Sequence, residues 1–137
     1  KEGNVFCLVD GIRFGKKLVQ MIPDAEFLHG ADKMAVRKEI YQRFKENDNL
    51  VVLATVQIAS TGLDIKRIFN MMSVDAGKSF VRIIQTIGRG LRKAEDKDYV
   101  HFTDICSDQK YSKKHVKERT KFYDEARYPH KKHIVKL

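Results

Sequence analysis

The chain has 137 residues, of which 42% are hydrophobic and 33% are charged, and its formal net charge is +9. A chain of this length and composition can build one globular domain around a single core. No apolar stretch approaches the roughly 20 residues that a membrane-spanning helix needs, which argues against a membrane protein. Residues 1–4 carry no signal-peptide pattern, and because a strand begins almost at once, we expect the sequence to be part of a longer protein.

The positive charge is concentrated at the end of the chain. Residues 110–137 contain ten Lys or Arg residues against three Asp or Glu, a net charge of +7, and the rest of the chain carries only +2. We therefore predict a nearly neutral domain at residues 1–109, followed by a basic helical extension that contacts nucleic acid through Lys113, Lys114 and Lys117. The alternative is a solvated, lysine-rich helix that keeps the domain soluble.

Short apolar runs alternate with amphipathic stretches along the chain. The apolar runs predict five strands, at residues 5–9, 25–28, 50–54, 68–74 and 99–105. Apolar residues at helical spacing predict three helices, at residues 15–22, between the predicted cap Asp32 and Asn47, and at residues 80–87. Alternation of this kind favours right-handed crossovers. The predicted fold class is therefore α/β, a three-layer domain whose mostly parallel sheet has helices on both faces.

The two cysteines and the aromatic residues of the extension lead to structural predictions rather than catalytic ones. Cys7 and Cys106 lie in strand-like apolar runs without CxxC or Cys/His spacing. We expect both to be free, to pack as small hydrophobic side chains, and to stay reduced in a cytoplasmic setting. No residues are predicted to bind a metal directly.

Four aromatic residues of the extension are expected to dock it on the domain: Tyr111, Phe122, Tyr123 and Tyr128.

Two arginines, Arg89 and Arg92, lie three residues apart in the run at residues 85–92, with Gly88 and Gly90 beside them. Forked guanidinium groups match phosphate oxygens, and glycine lets the backbone approach a ligand closely. The run therefore predicts a phosphate clamp. The alternative is a basic helix end that complements the helix dipole.

A second motif follows the predicted strand at residues 50–54. Thr61, Gly62 and Asp64 form a T-x-G-x-D pattern at a small-residue turn, where parallel sheets deliver polar groups to ligands. Together with the Q-x-x-G-R-x-x-R run that begins at Gln85, this pattern resembles the last two conserved motifs of the superfamily 2 helicases. This resemblance covers essentially all of Val5 to Ile105. The chain is most similar to UvsW-type bacteriophage helicases, which carry a similar Ala-Ser-Thr-Gly stretch, a similar Gln-Thr-Ile-Gly-Arg-x-Leu-Arg-Lys run and a lysine-rich helical extension. The resemblance implies a RecA-like fold, the second and C-terminal one of the pair in such enzymes.

The nucleotide site implied by this resemblance is only half present. The sequence has no G-x-x-x-x-G-K-[ST] motif and no Asp-Glu pair of the Walker B type, so the chain by itself cannot hold ATP and Mg²⁺. The resemblance implies that both are held mainly by an N-terminal RecA-like domain. It implies Arg92 as the arginine finger on the γ-phosphate, with Arg89 beside it and Gln85 positioning both. It also implies that Asp64 accepts hydrogen bonds from the ribose while the Gly62 backbone lies near the phosphates; the alternative for Asp64 is an ordinary turn or cap aspartate.

The loops that follow the predicted strands are expected to hold nucleic acid. By their position in the resemblance, Arg13, His29 and Gly30 correspond to motifs that hold the sugar-phosphate backbone of one strand. The resemblance also implies that Thr55 and Thr61 touch nucleic-acid phosphates or the cleft between the domains. Backbone contacts of this kind give salt-dependent, largely sequence-independent affinity. Arg13 and His29 can equally be surface residues, and Thr55 can make an ordinary hydrogen bond at the end of its strand.

The expected function is that of the C-terminal motor domain of an ATP-dependent superfamily 2 DNA helicase or translocase, remodelling branched recombination or replication intermediates. The isolated chain is expected to hydrolyse no ATP, and a phage-encoded protein would work in the host cytoplasm without a membrane partner. RNA or an RNA–DNA hybrid stays open as the nucleic acid, although the Thr55–Gly62 spacing and Gln85 in place of histidine argue against the DEAD-box branch. The alternatives are a non-enzymatic annealing module and the motor subunit of a restriction-type nuclease.

Overall fold

The computed structural model describes residues 3–60, 68–75, 77 and 100–137. This part of the chain contains five strands and four helices. The strands are β1 (Val5–Val9), β2 (Glu26–Leu28), β3 (Val51–Thr55), β4 (Asn70–Val74) and β5 (His101–Ile105). The helices are α1 (Ile12–Met21), α2 (Met34–Glu46), α3 (Val56–Ser60) and α4 (Lys110–Glu125). The predicted helix at residues 80–87 lies outside the described residues.

All five strands are parallel and form one sheet in the order β2-β3-β1-β4-β5. Val9, the last residue of β1, is opposite Thr55 on one side and Val74 on the other. Val74 in turn is opposite Ile105. The carboxyl ends of the four longer strands therefore lie level, and the loops that follow them meet at one edge, which we call the carboxyl edge.

Alternate residues of β1 show how the sheet is covered on both faces. Phe6 and Leu8 belong to a buried cluster that includes Ile40 and Phe44 of α2, and the two phenylalanine rings meet edge to face. Cys7 and Val9 point to the other face, where the cluster includes partly buried side chains of α1. Because strands covered on both faces must be apolar throughout, the near-continuous hydrophobic runs follow from this arrangement. The predicted α/β class with a parallel sheet and helices on both faces is confirmed.

Helix α1 packs closely on β2 at a glycine. A Cβ atom added to the buried Gly15 would lie 2.3 Å from two ring atoms of Phe27, well inside van der Waals contact. The helix starts at Ile12, three residues before the predicted start, directly after Gly11. Gly11 has φ 93°, a conformation that glycine adopts without the steric cost of a side chain. This glycine lets the chain turn from β1 straight into the helix.

Two local predictions are wrong. Asp32 does not cap α2: the cap position is Lys33, without a side-chain hydrogen bond, while the Asp32 carboxylate accepts a hydrogen bond from the His29 backbone nitrogen. Tyr111 does not dock the extension, since it is 76% exposed. Tyr123 does dock, because its buried ring packs against Phe102 of β5. Short helix α3 was not predicted, because five residues offer too little periodicity to detect.

The two cysteines are free, as predicted, with Cys7 buried and Cys106 half-buried. Burial raises the pKa of the Cys7 thiol to about 11, so the thiol stays protonated near neutral pH. Within the described residues no helix is long and apolar enough to cross a membrane.

Candidate nucleic-acid interface

Four of the predicted contact residues that the structure describes lie at the carboxyl edge. His29 and Gly30 follow β2, Thr55 ends β3, and Arg13 lies in the first turn of α1, just after β1. Since the sheet order is β2-β3-β1, these three strand ends are neighbours. The structure therefore brings together residues that are up to 42 positions apart in the sequence.

The turn after β2 is held by its own side chains. The backbone nitrogen of His29 donates a hydrogen bond to Asp32 Oδ2 at 2.6 Å, and the backbone nitrogen of Asp32 donates to the His29 carbonyl at 3.0 Å. His29 Nδ1 accepts a bond of 3.3 Å from the backbone nitrogen of Ala31, while the ring packs against Phe27. The imidazole is thus fixed in direction, and its side chain is 18% exposed. Gly30 at the tip is exposed, with open space around its Cα.

A guanidinium group that sequence reasoning missed lies beside this turn. Arg37 Nη2 donates to the Gly30 carbonyl at 3.0 Å. Its Nε is buried and has no hydrogen-bond partner among the described residues. A buried donor without a partner carries a free-energy cost of about 1–3 kcal/mol, so such donors are often found where a ligand binds. The available signal was an arginine one helical turn into α2, after the Gly30-Ala31 turn.

Thr55, at the end of the neighbouring strand β3, also has a buried polar atom that forms no hydrogen bond with the described residues. The residue is only 4% exposed, and its Oγ1 finds no hydrogen-bond partner within residues 3–60, 68–75, 77 and 100–137. The expected alternative, an ordinary hydrogen bond at the strand end, is therefore not what this part of the chain shows. Two unpartnered donors, the Thr55 hydroxyl and Arg37 Nε, thus lie near the ends of adjacent strands β3 and β2.

The loop after β1 adds positive charge. Arg13, Lys16 and Lys17 are all exposed, and α1 contains no acidic residue. Residues three and four apart share one side of a helix, so these three cations lie on the same side of α1. Because α1 begins directly after β1, these cations add positive charge close to the carboxyl edge.

At the ends of β4 and β5, on the other side of β1, polar side chains form hydrogen bonds with one another. Asp75, which follows β4 with φ 47°, accepts two hydrogen bonds on Oδ1, from the backbone nitrogen and from the hydroxyl of Ser107. The Ser107 hydroxyl is also 3.0 Å from that of Ser112 in α4. These bonds tie the ends of β4 and β5 to the first turn of α4. Asp75 and Ser107 are therefore structural, unlike the unpartnered donors on the other side of β1.

Ten other predicted site residues remain, of which Lys113, Lys114 and Lys117 are exposed on α4. Seven of them lie outside the described residues and stay predictions: Thr61, Gly62, Asp64, Gln85, Gly88, Arg89 and Arg92. Among the residues that are described, no group of three or more His, Cys, Asp or Glu side chains could hold a metal ion.

A sequence profile of the helicase conserved C-terminal domain matches residues 2–94, which is more than half of the chain. The chain belongs to this helicase family. The ATP-dependent DNA helicase uvsW of Enterobacteria phage T4 is 23% identical over 126 residues, which are 89% of this chain and 25% of that protein. The DEAD-box ATP-dependent RNA helicase 24 of Arabidopsis thaliana is 38% identical over 76 residues, 56% of this chain and 10% of that protein. This helicase C-terminal domain thus spans a quarter or less of these two relatives.

Solved structures confirm the fold of the helicase C-terminal domain. The crystal structure of T4 UvsW superposes with a TM-score of 0.67 and 20% identity, covering 90% of this chain and 29% of that one. The C-terminal domain of the DEAD-box protein Dbp5 superposes with a TM-score of 0.65 and 15% identity, covering 91% and 72%. The predicted RecA-like architecture and the similarity to UvsW are both confirmed.

Proposed function

We propose that this chain is the C-terminal motor domain of an ATP-dependent superfamily 2 helicase or translocase that acts on DNA. The observation that carries the proposal is a pair of buried donors, Thr55 Oγ1 and Arg37 Nε, which have no partner in the described part of the chain and lie at adjacent strand ends of a helicase C-terminal domain. Hydroxyl and guanidinium donors suit phosphate oxygens. His29, Gly30 and Arg13 complete the same edge.

This edge holds the sugar-phosphate backbone of one strand in the proposed mechanism. Arg13 contributes charge, Thr55 and Arg37 contribute directed hydrogen bonds, and the fixed His29–Gly30 turn lets the backbone approach closely. Thr61 would extend the track beyond β3. Contacts to phosphates rather than to base edges carry no sequence information, which is what a motor that steps along any sequence requires.

The nucleotide lies, in this proposal, between this chain and an N-terminal RecA-like domain that holds most of the ATP and its Mg²⁺. Arg92 is the arginine finger, with Arg89 beside it and Gln85 positioning both. Asp64 accepts hydrogen bonds from the ribose, and the Gly62 and Gly88 backbones approach the phosphates. An arginine finger is worth about 10³ to 10⁵ in rate because it stabilises charge in the transition state. The isolated chain is expected to be inactive.

The choice of DNA rests on the similarity to uvsW, a DNA helicase by name, which extends over more of this chain than the RNA helicase match. Branched recombination or replication intermediates are the proposed substrates. We further propose a boundary between the motor domain at residues 1–109 and the basic extension at residues 110–137, and a site of action in the cytoplasm of the cell or host.

The test is unwinding by the full-length protein. A fork and a four-way junction, each with one labelled strand, are incubated with ATP, with ADP, or with a non-hydrolysable ATP analogue. The proposal predicts strand release only with ATP. Equal rearrangement in all three conditions would favour the non-enzymatic annealing module, while shortened strands on a denaturing gel would favour the nuclease-linked motor.

A further inference from the structure

Five lysines of α4 lie on one side of the helix. They are Lys110, Lys113, Lys114, Lys117 and Lys121, and all are exposed; we call them the lysine face. At 3.6 residues per turn these positions fall within an arc of about 100° and extend over about 17 Å of helix axis. The nearby ion pair of Lys113 with Asp108 is exposed at both ends, and such surface pairs are weak.

The opposite side of α4 is fixed to the sheet by a buried cluster. Arg119 is 1% exposed and donates to both oxygens of Asp104 in β5, from Nε at 2.7 Å and from Nη2 at 3.0 Å. The Tyr123 hydroxyl donates to the same carboxylate at 2.9 Å. The hydroxyl of Ser73 in β4 donates to it at 3.0 Å. Helix α4 is therefore attached to two strands through one carboxylate.

This attachment sets the rotation of the helix about its axis. Arg119 is nine residues after Lys110, which puts it on the far side of the helix at about 180°. When its guanidinium meets Asp104, the lysine face must point to solvent. An apolar seam would tolerate small rotations, whereas a two-bond contact between a guanidinium and a carboxylate has a defined geometry. The lysines thus form a fixed array rather than a flexible basic tail.

We propose that the lysine face binds the phosphate backbone of duplex DNA, at a place separate from the strand track on the carboxyl edge. This inference rests on the proposed function, because it assigns the duplex part of the same substrate. Helix α4 begins beside the carboxyl edge, through the Ser107–Ser112 contact, and runs away from it along the face of the sheet that Phe102 and Asp104 occupy. A duplex on α4 would therefore lead into the edge that holds one of its strands.

The character of the lysine face favours a duplex over other polyanions. A rigid row of charges matches a rigid rod, and about 17 Å of duplex axis carries about ten phosphates. Single-strand sites usually add aromatic side chains on which bases stack, and the lysine face contains none. A membrane-surface helix needs a free apolar side, and the side of α4 opposite the lysines is occupied by the contacts to Asp104.

The experiment compares two variants of the full-length protein with equal loss of charge. The first is K114Q/K117Q/K121Q on the lysine face. The matched control is K131Q/K132Q/K136Q, in the segment after α4 that has no regular secondary structure. Fluorescence anisotropy without nucleotide measures affinity for a 30-base-pair duplex and a 30-nucleotide strand at several salt concentrations. Circular dichroism verifies helix content, and K114R/K117R/K121R, which keeps the charges, should bind like the wild type.

We expect the lysine-face variant to lose at least tenfold in duplex affinity and to reduce the slope of log K against log salt by about 2 to 3, at roughly 0.9 per phosphate contact. Its single-strand affinity and the control's duplex affinity should change less than threefold. The proposal is overturned if both variants lose the same affinity, if single-strand binding falls equally, if duplex binding is unchanged, or if only binding to phosphatidylserine vesicles is lost. Because the assay contains no ATP, a protein that binds duplex this way but hydrolyses no ATP would refute the motor and leave this inference standing.

Discussion

Arg119 and Asp104 form a two-bond contact between α4 and β5, in which the arginine is buried and the carboxylate accepts four hydrogen bonds from described residues. Burial alone would lower the pKa of Arg119, but the hydrogen bonds and negative charge of Asp104 raise it above its ordinary value. The guanidinium therefore stays charged at every accessible pH. A charged group this deep in the protein depends on its partner.

Removing one partner of this pair should be costly. Arg119→Gln leaves the largely buried Asp104 carboxylate without its counter-ion, and we expect the free energy of unfolding to fall by about 3–5 kcal/mol. Lys113→Gln, which removes the exposed pair with Asp108 on the same helix, should change it by less than about 1 kcal/mol. Urea unfolding of both variants measures the difference. Equal and small effects would mean that α4 is not anchored by this contact.

The close approach of α1 to β2 makes a second stability prediction. Gly15→Ala places a methyl group against the Phe27 ring, and the resulting overpacking should cost about 1–3 kcal/mol. Gly30→Ala is the matched control for thermal unfolding, because Gly30 has open space around it and an unstrained backbone. A Gly15→Ala protein as stable as Gly30→Ala would contradict the observed packing.

Thr55 should show opposite effects on stability and on binding. Thr55→Val keeps the shape but removes the buried hydroxyl, which has no partner among the described residues, so we expect stability to rise by about 1 kcal/mol. Nucleic-acid affinity should fall several-fold, while Thr55→Ser, which keeps the hydroxyl, should retain it. Thermal unfolding and strand-binding assays on the same preparations measure both quantities. Unchanged affinity in Thr55→Val would remove Thr55 from the interface.

The buried Cys7 thiol predicts a specific alkaline effect. Burial raises its pKa from 9.0 to about 11, so the folded state binds this proton more tightly than the unfolded state. The corresponding stability is complete below pH 9 and is lost as the pH rises through about 11. Relative to Cys7→Ala, the wild type should therefore lose free energy of unfolding between pH 9 and 11. A difference between the two proteins that stays constant over this range would contradict the burial of Cys7.

The sequence predicted the parallel sheet because apolar runs of about five residues record burial on both faces. Local polar bonding was harder to predict. Asp32 resembles a helix cap, but its carboxylate closes the turn at His29 instead, and both arrangements use the same residue type at nearly the same position. Both arrangements are contacts of one aspartate with residues no more than about three positions away. The sequence pattern therefore could not distinguish the helix cap from the closed turn.

The candidate site was predicted only where it lies directly after strands. Arg13, His29 and Thr55 follow apolar runs, so their location at one edge could be inferred. Arg37 was missed, because its place one turn into α2 is only a weak signal and the burial of its Nε depends on how α2 packs beside Gly30. The orientation of the lysine face was also hidden, because it is set by Arg119 meeting Asp104, a contact that no local periodicity reveals.

In the proposed function this chain completes an ATPase site whose nucleotide is held mainly by another domain. The most direct measurement is nucleic-acid-stimulated ATP hydrolysis by the full-length protein carrying Arg92→Ala, with Arg92→Lys to separate charge from forked geometry. We predict a loss in turnover of about 10³-fold or more for Arg92→Ala, with unchanged thermal unfolding and strand affinity. Turnover within a factor of three of the wild type would contradict the arginine finger and with it the proposed motor.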